Sequence, residues 1–348
     1  MKAAITVDTR KIDYADARTP SPGPTQVLVA LRYTGICGSD IHVYRGEFAG
    51  RVNFPLIQGH EFSGVVSQKG KEVEGLDIGD RVCTDPIVSC RKCPACLDGR
   101  YNACRSLKLL GIDMDGGLAQ YVCVEAEQCF IIPEAISDRD AALVELFSIG
   151  MHATSISRIE PGDRVVVLGA GRVGLAVLQN IQLTSAEKVA VADISPPKLK
   201  IAESLGAALV INSAEMDAVK AVEEFTGGQG ADCVVECIGE ADLNVVGGKS
   251  PVEQAVEMIR NAGRITLLGQ GPHSYGVLWK TLVWKEATIF TSRTNLGEFP
   301  RVISMMAGGK YDTGAMVSAE YPLERTAEAF ELVDKEPPDV VKVLIKAV

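Results

Sequence analysis

Three segments of the sequence carry side chains that bind first-row transition metals. Cys37 lies in the segment GICGSDIH, His60 is followed at once by Glu61, and Glu145 lies in the segment LVELFS. A thiolate, an imidazole and a carboxylate leave the fourth position of a tetrahedral zinc ion free for water or substrate. An open zinc ion of this kind polarises the oxygen atom that it binds. Each residue taken singly is more often a core or surface side chain, so the prediction depends on the whole set.

A second group of metal-binding side chains is concentrated in one short segment. Four of the ten cysteines fall within 15 consecutive positions, namely Cys90, Cys93, Cys96 and Cys104. Four thiolates complete a tetrahedral zinc site that has no open position, so the role of such a site is structural. The alternatives are an iron–sulfur cluster, which the cysteine spacing does not exclude, and thiols that bind no metal. We predict a structural zinc lobe over about residues 88–106.

A glycine-rich turn predicts a binding site for a dinucleotide. The apolar run at residues 165–168 leads directly into the sequence GAGRVG, which contains Gly169, Gly171, Val173 and Gly174. The glycines permit a tight turn, close approach of the backbone to a pyrophosphate, and close packing of helix and strand. Free N–H groups at the start of the following helix favour an anion. The alternative is a glycine-rich turn of an α/β domain that binds nothing.

An acidic residue at the end of the second strand favours NAD over NADP in sites of this kind. Asp193 follows the strand-like run at residues 188–192, at the expected distance of roughly 20 residues from the glycine turn. Its carboxylate can accept hydrogen bonds from both hydroxyls of the adenosine ribose, and it repels a 2′-phosphate, which predicts NAD as the cofactor. Lys198 lies close enough to weaken this preference. The alternative is that Asp193 only caps its strand.

The pattern of apolar runs changes twice along the chain. Up to about residue 150, short β-like runs alternate with glycine and proline turns, which is typical of a partly open barrel. From Gly162 onward strand-like and helix-like segments alternate, including a helix predicted over residues 251–262, which indicates a parallel sheet covered by helices. We therefore expect an α/β protein in which a domain with a parallel sheet, residues 150–286, is inserted into a domain with a partly open β-barrel, formed by residues 1–149 and 287–348.

Composition and charge narrow the classes of partner. The net charge is −10 at pH 7 and no basic face is visible, which argues against a nucleic-acid partner. No apolar run approaches the roughly 20 residues that a membrane span needs, and the first residues lack the features of a signal peptide. We expect a cytoplasmic protein with a small-molecule substrate and no membrane or nucleic-acid partner. In that compartment the cysteines bind metal rather than form disulfides.

Together these motifs resemble the zinc-containing medium-chain dehydrogenase superfamily, within it the branch of sorbitol and threonine dehydrogenases. The resemblance extends over almost the whole chain and rests on residues 35–42, 59–61, 79–82, the four-cysteine lobe, 115–117 and 169–174. It implies a GroES-like catalytic domain, a Rossmann domain and a cleft between them, with one catalytic zinc ion, one structural zinc ion and NAD. It also implies a homodimer or homotetramer paired through edge strands of the Rossmann domains.

The resemblance implies roles for particular residues. Catalytic zinc would be bound by Cys37 and His60. The third protein ligand would be Glu61, or Glu145 would approach the metal while a water molecule takes the remaining position. The proton relay of the family maps onto Ser39, which would accept the substrate proton, and His42, which would pass it outward. Without a relay, the first would be a turn hydroxyl and the second a surface imidazole.

Two stretches of the chain resemble a subgroup that acts on hexonates, such as L-galactonate or L-gulonate 5-dehydrogenases: residues 290–295 with 299–300, and residues 85–90. Arg293 can bind a carboxylate through two hydrogen bonds, and Arg45 is a second candidate, although either arginine can instead serve an ion pair or an interface. We predict oxidation of the C5 hydroxyl of an L-hexonate. Neutral polyols and L-threonine are the alternative substrates, and a zinc-stabilised protein that senses NAD without catalysis is the alternative class.

Overall fold

The computed structural model of the protein describes residues 1–239, 245–271 and 276–347. The chain divides into two compact units, which we call the first unit (Met1–Glu145 with Leu296–Val348) and the second unit (Leu146–Asn295). The domain boundaries at 149/150 and 286/287, and the extent of the cysteine lobe, stay predictions from the sequence. None of the helices in the described residues has the length and apolarity needed to span a bilayer.

The described residues form strands with these bounds in chain order: β1 Lys2–Asp8, β2 Lys11–Asp16, β3 Gln26–Gly35, β4 Leu56–Ile57, β5 Glu61–Lys69, β6 Arg81–Thr84, β7 Ile87–Val88, β8 Lys108–Leu109, β9 Tyr121–Glu125, β10 Cys129–Ile131, β11 Arg164–Leu168, β12 Lys188–Asp193, β13 Leu209–Asn212, β14 Ala231–Glu236, β15 Ile259–Leu267, β16 Thr288–Thr291, β17 Val317–Pro322 and β18 Lys342–Lys346. The α-helices are α1 Gly38–Tyr44, α2 Pro94–Leu97, α3 Asp138–Ala141, α4 Val144–Ile156, α5 Arg172–Ile181, α6 Pro196–Ser204, α7 Ala218–Phe225, α8 Pro251–Met258, α9 Trp279–Lys285, α10 Phe299–Ala307 and α11 Thr326–Asp334. Short 3₁₀ helices occur at Tyr101–Ala103, Ala126–Gln128, Gly314–Met316 and Leu323–Arg325.

The first unit is built around a mostly antiparallel sheet of seven strands in the order β10-β6-β5-β3-β18-β17, with β9 also paired to β3. The central strand β3 changes partner along its length, pairing with β9 near its start and with β18 near its end. A strand that pairs with two different strands along the same edge is typical of a barrel that is only partly closed. Side chains such as Val29, Leu31 and Phe62 fill the apolar core between these strands.

The second unit contains six parallel strands in the order β13-β12-β11-β14-β15-β16, with helices in the connections. This is the strand order of a Rossmann domain. The central strand β11 is apolar at four successive positions, and all four side chains are buried, as expected for a strand covered on both faces. The predicted fold class, a parallel Rossmann sheet inserted into a barrel-like domain, is confirmed.

One predicted helix is shorter in the structure. The sequence pattern predicted a helix over residues 251–262, but α8 ends at Met258 and the chain enters β15 at Ile259. Lys285, which is distant in sequence, donates hydrogen bonds from Nζ to the carbonyls of Val256, Glu257 and Ile259. The carbonyls of Val256 and Glu257 lie in the last turn of α8, where carbonyl groups lack partners within the helix. A lysine from outside the segment therefore binds carbonyl groups at the end of the helix. The periodicity of residues within the segment cannot predict this contact.

Candidate active site

Strand ends in the first unit bring the predicted metal-binding residues together. Gly35 at the end of β3 pairs with Glu61 at the start of β5 and with Leu344 of β18. Cys37 is the N-cap residue of α1, and His60 immediately precedes β5. A Cβ atom at position 35 would lie 2.2 Å from Oε2 of Glu61, so only glycine allows the glutamate side chain to occupy this place.

Cys37, His60 and Glu61 form a compact donor set. One potential ligand atom from each lies within 4.8 Å of the others. Oε1 of Glu61 is buried and makes no hydrogen bond in the described residues. Buried polar atoms without partners are costly, and a metal ion satisfies them. A thiolate, an imidazole and a carboxylate are ligands that zinc accepts, so the residues fit a zinc ion.

A buried lysine that the sequence analysis did not single out contacts this donor set. Lys342 of β18 is fully buried, and its Nζ forms an ion pair with Oε2 of Glu61. The same Nζ donates a hydrogen bond of 3.1 Å to the carbonyl oxygen of Ile36. The available signal was a lysine at the start of the C-terminal strand, followed by three apolar residues. Without knowledge of which strand lies opposite, that signal does not identify a partner.

Asp40 connects the cysteine and the histidine. Its Oδ2 accepts a hydrogen bond of 2.8 Å from the backbone N–H of Cys37. Its Oδ1 accepts one of 3.2 Å from the N–H of Gly59, and lies 3.6 Å from Nδ1 of His60. Burial alone would raise the pKa of Asp40, but His60 and the Cys37 N–H outweigh it and lower that pKa. A second carboxylate that orients a metal-binding imidazole is a common arrangement, and no role had been predicted for this residue.

The charges around the site favour the ionised thiolate of Cys37, which binds metal, but they disfavour the neutral imidazole of His60, which is the form that binds metal. Burial and Glu61 raise the pKa of Cys37, yet His60 and Lys342 outweigh them, so the pKa is lowered and the thiolate is favoured. Burial lowers the pKa of His60, but Asp40 and Cys37 raise it well above its ordinary value. Metal binding to this imidazole therefore releases a proton.

Glu145 lies in the first turn of α4 and is buried, with no hydrogen-bond partner for its Oε2 in the described residues. Burial and the negative charge of Glu61 raise its pKa well above the ordinary value of a carboxyl group. It is not part of the donor set whose ligand atoms lie within 4.8 Å of one another. The structure thus groups Glu61 with the cysteine and histidine, and the identity of the third zinc ligand stays a prediction.

The two residues predicted to relay a proton lie three positions apart on α1. Ser39 Oγ is 3.3 Å from Nε2 of His60, so its hydroxyl lies at the edge of the donor set. His42 is half-buried, and its Nδ1 contacts a carboxylate oxygen of the exposed Glu47. Residues three positions apart share one face of a helix. This placement supports a path from Ser39 outward, with Glu47 as an acceptor at the surface that the sequence analysis did not predict.

The four cysteines of the lobe also lie together, with their Sγ atoms within 4.8 Å of one another. The short helix α2 carries Cys96, and the strand pair β7-β8 closes the lobe at its base. Backbone N–H groups of Cys96 and Arg105 lower the pKa of Cys93 to about 6, which favours its thiolate. Four thiol groups in this arrangement fit a closed tetrahedral zinc site.

In the second unit, the three glycines of the turn after β11 serve different purposes. Gly169 has a φ of +99°, which other residues rarely adopt. A Cβ atom on Gly174 would lie 1.8 Å from the carbonyl oxygen of Gly169, so helix and strand pack too closely for a side chain there. Gly171 is the N-cap residue of α5, and a Cβ atom added to it would have no neighbouring atom within 4 Å. Val173 is partly exposed in the first helical turn. The turn fits a bound pyrophosphate.

Asp193 ends β12 beside this turn. Its Oδ2 accepts a hydrogen bond of 2.6 Å from the N–H of Ala170, and its Oδ1 accepts one of 2.8 Å from the N–H of Ser195. The carboxylate therefore braces the glycine turn and caps its own strand end, and its position suits a ribose contact as well. Lys198 lies partly exposed in the first turn of α6.

The two arginines predicted to bind substrate lie in different units. The guanidinium group of Arg45 forms ion pairs of 2.7 Å with Asp334 and 2.6 Å with Glu336. These carboxylates already use its donors, which favours the ion-pairing alternative over a substrate contact. Arg293 belongs to the second unit and is exposed just after β16.

Comparisons with known proteins agree with this architecture. The family described as "Alcohol dehydrogenase GroES-like domain" matches residues 23–134, and the family described as "Zinc-binding dehydrogenase" matches residues 173–308. Sorbitol dehydrogenase of Bacillus subtilis is 31% identical, with 99% of this chain and 97% of the relative covered. The 2-dehydro-3-deoxy-L-galactonate 5-dehydrogenase of Pseudoalteromonas atlantica is 31% identical, with 97% and 96% covered. The solved structure of the Escherichia coli alcohol dehydrogenase RspB with NADH has a TM-score of 0.91 at 31% identity, with 99% of both chains covered.

The chain belongs to the zinc-dependent medium-chain dehydrogenase superfamily. It is a zinc- and NAD-dependent oxidoreductase of the alcohol/polyol dehydrogenase class, which acts on CH–OH groups. The predicted superfamily, enzyme class and cofactors are thereby confirmed. The predicted roles of individual site residues remain predictions, supported by the placements described above.

Proposed function

We propose that the chain oxidises a secondary hydroxyl of a sugar acid with NAD, with the C5 hydroxyl of an L-hexonate such as L-gulonate or L-galactonate as the preferred position. The observation that carries the oxidation is the donor set of Cys37, His60 and Glu61 with the Ser39 hydroxyl beside it. The sugar-acid assignment is supported by the relative that is named a galactonate-type 5-dehydrogenase. Neutral polyols are the second candidate, supported by the similarity to sorbitol dehydrogenase, and L-threonine is a third.

Different residues of the first unit bind the metal ion and transfer the proton in the proposed reaction. A zinc ion held by Cys37, His60 and a carboxylate would act as a Lewis acid on the substrate hydroxyl. Ser39 lies at the edge of this set and accepts the hydroxyl proton, and His42 passes that proton toward Glu47 and the solvent. NAD, which the glycine turn after β11 and Asp193 would hold, would supply the nicotinamide that accepts the hydride. The protein supplies positions and charges.

An activity screen tests the substrate assignment directly. NADH formation is measured with L-gulonate, L-galactonate, sorbitol, xylitol and L-threonine under identical conditions. We expect the highest kcat/KM with an L-hexonate. A kcat/KM for sorbitol or L-threonine that exceeds all hexonate values would contradict the sugar-acid proposal and leave the dehydrogenase class intact.

Arg293 provides a sharper test of carboxylate recognition. We expect Arg293→Ala to lower kcat/KM for the preferred hexonate by about tenfold or more, since a charge-assisted hydrogen bond to a carboxylate is lost. The kcat/KM for a neutral polyol should change far less. Arg45→Ala is the matched control, because that arginine is paired with Asp334 and Glu336. Equal losses on both substrates in Arg293→Ala would remove this residue from the substrate site.

Asp193 sets the choice of dinucleotide in this proposal. We expect Asp193→Ala to lower the preference for NAD over NADP by about tenfold or more, because a carboxylate at this position binds the ribose hydroxyls and repels a 2′-phosphate. The measurement is the ratio of kcat/KM for NAD to kcat/KM for NADP in variant and wild type. The carboxylate also binds the N–H of Ala170, so some loss with both cofactors is expected. An unchanged ratio would contradict the ribose contact.

We propose that the protein is a homodimer or homotetramer, formed through the open edge of the second unit's sheet. Strand β16 ends that sheet. In the neighbouring helix α9, Trp279, Val283 and Trp284 are 73%, 72% and 76% exposed to solvent. The chain has two tryptophans, and both lie in this helix. Exposed apolar groups beside the edge strand of a sheet mark an interaction surface. We also propose a cytoplasmic location, because cysteines grouped as metal ligands are typical of a compartment that keeps thiols reduced.

Sedimentation analysis checks this assembly. We expect wild-type protein to sediment as a dimer or tetramer and the Val283→Glu variant to sediment as a smaller species, since a buried charge opposes association. Ile78→Glu is the matched control, because Ile78 is an exposed apolar residue of the first unit, at 66%. A monomeric wild-type protein, or a Val283→Glu variant with unchanged mass, would contradict this interface.

A further inference from the structure

A buried glutamate at the end of β14 has no part in the chemistry described so far. The side chain of Glu236 is almost fully enclosed, with 3% of the residue exposed. Its Oε1 accepts hydrogen bonds from the N–H of Ile238 at 2.7 Å and of Gly239 at 3.3 Å. Its Oε2 accepts one from the N–H of Gly269 at 3.1 Å. The carboxylate therefore binds the backbone of two separate turns.

The two turns follow neighbouring parallel strands and touch each other. Gly239 belongs to the turn after β14, and a Cβ atom there would lie 2.6 Å from the carbonyl oxygen of Gln270. Gly269 belongs to the turn after β15, and a Cβ atom there would lie 2.3 Å from the N of Gly239 and 2.6 Å from Oε2 of Glu236. Both turns thus need glycine at the point of contact, and the carboxylate fills the space between them.

These turns also adjoin the glycine turn that follows β11. The N–H of Cys237 donates a hydrogen bond of 2.9 Å to the carbonyl oxygen of Leu168. The side chain of Ile238 lies against Gly169, since a Cβ atom added to that glycine would be 3.0 Å from Cγ1 of Ile238. In a sheet with this strand order, a dinucleotide crosses the carboxyl edge between the first and fourth strands, here β11 and β14.

The position of Asp193 gives the direction in which the dinucleotide crosses. Asp193 ends β12, so the adenosine half belongs on that side of β11. The nicotinamide half then belongs over the ends of β14 and β15, where the two turns are joined by Glu236. Backbone groups of such turns are suited to contact a ribose or a carboxamide, provided that the turns are held rigidly.

We infer that Glu236 is a positioning residue for the nicotinamide half of the cofactor, because its carboxylate fixes the two backbone turns that lie beneath that half. The inference rests on the NAD site of the proposed function. Glutamate is suited to this role because an ionised carboxylate only accepts hydrogen bonds, and all three partners are donors. Glutamine would bring an NH₂ group toward at least one backbone N–H. The two donors would repel each other, and the turn would shift.

The test compares two ligands in the intact, zinc-loaded protein. Dissociation constants are measured for NADH by its fluorescence and for ADP by competition. We expect Glu236→Gln to weaken NADH binding by about tenfold, the cost of a lost charge-assisted hydrogen bond, and to change ADP binding by less than about threefold. Glu203→Gln is the matched control, since Glu203 is an exposed glutamate of the same unit. Its dissociation constants should match those of the wild type.

A second variant covers the case in which Glu236→Gln does not fold. Gly269→Ala keeps the carboxylate and places a methyl group against it, so the same loss of NADH binding with retained ADP binding is expected. Equal weakening of NADH and ADP would overturn the inference, since it would indicate a general structural role. Unchanged NADH binding in both variants would overturn it as well. Wild-type protein that binds neither ligand would instead contradict the proposed function, so the two failures are distinguishable.

Discussion

We expect the Cys37→Ala variant to lose at least about three orders of magnitude in kcat/KM, while its Kd for NADH stays within about twofold of the wild-type value. Cys37 is the thiolate of the donor set in the first unit, whereas the glycine turn and Asp193 belong to the second unit. Removal of the thiolate therefore removes the metal ion and its Lewis acidity. The glycine turn, to which the account assigns pyrophosphate binding, is unchanged in this variant. The measurements are initial rates of NADH formation and fluorescence titration with NADH.

A matched control for this variant is available among the other cysteines of the first unit. Cys123 is partly buried in β9 and belongs to neither cluster of potential metal ligands. Cys123→Ala should therefore keep its activity and its zinc content. If Cys37→Ala retained the turnover of the wild type, the thiolate would not take part in the reaction, and the proposed metal site would be wrong.

The second large effect is expected at Lys342, and it concerns stability. Lys342→Met removes the positive charge beside Glu61 and leaves a buried carboxylate without a counter-ion. Breaking one side of a buried ion pair in this way typically costs about 3–5 kcal/mol. We expect this loss in zinc-free protein, where it appears as a lower midpoint of thermal unfolding. Lys346→Met is the matched control, because Lys346 is an exposed lysine of the same strand.

The same variant distinguishes the two candidates for the third zinc ligand. If Glu61 binds zinc, the metal ion replaces the missing charge, and the Lys342→Met variant should be destabilised much less in its zinc-loaded form. If Glu145 is the ligand, Glu61 stays uncompensated and the loss should be similar with and without zinc. An unfolding midpoint equal to that of the wild type in both forms would contradict the ion pair between Lys342 and Glu61.

The features that could be predicted from the sequence are those whose cause lies within a short stretch of chain. The turn at Gly169 is defined by its own glycines and by the apolar strand before it. The lobe from Cys90 to Cys104 holds all four thiols within one segment. The alternation of strands and helices likewise depends on periodicity over about ten to fifteen residues at a time. These local patterns were sufficient for the fold class and for the grouping of the four cysteines in the lobe, whereas the set of Cys37, His60 and Glu61 was predicted only from separate segments taken together.

The features that escaped prediction depend on contacts between distant parts of the chain. Lys342 contacts Glu61 only because β18 pairs with the end of β3. No local sequence pattern predicts that strand pairing. Arg45 is occupied by Asp334 and Glu336, which lie almost three hundred residues away along the chain. Lys285, from outside α8, donates hydrogen bonds to carbonyls in the last turn of that helix. In each case a side chain of ordinary appearance acquires its role from the tertiary arrangement.

The central claim is that Cys37 and His60 bind one zinc ion, and anomalous diffraction at the zinc absorption edge tests it most directly. Crystals of the wild-type protein should show one peak at the four-cysteine lobe and another about 2.0–2.3 Å from Cys37 Sγ and a ring nitrogen of His60. The carboxylate nearer to the second peak also identifies the third ligand. Fully active protein whose crystals show a peak at the lobe and none between Cys37 and His60 would contradict the account.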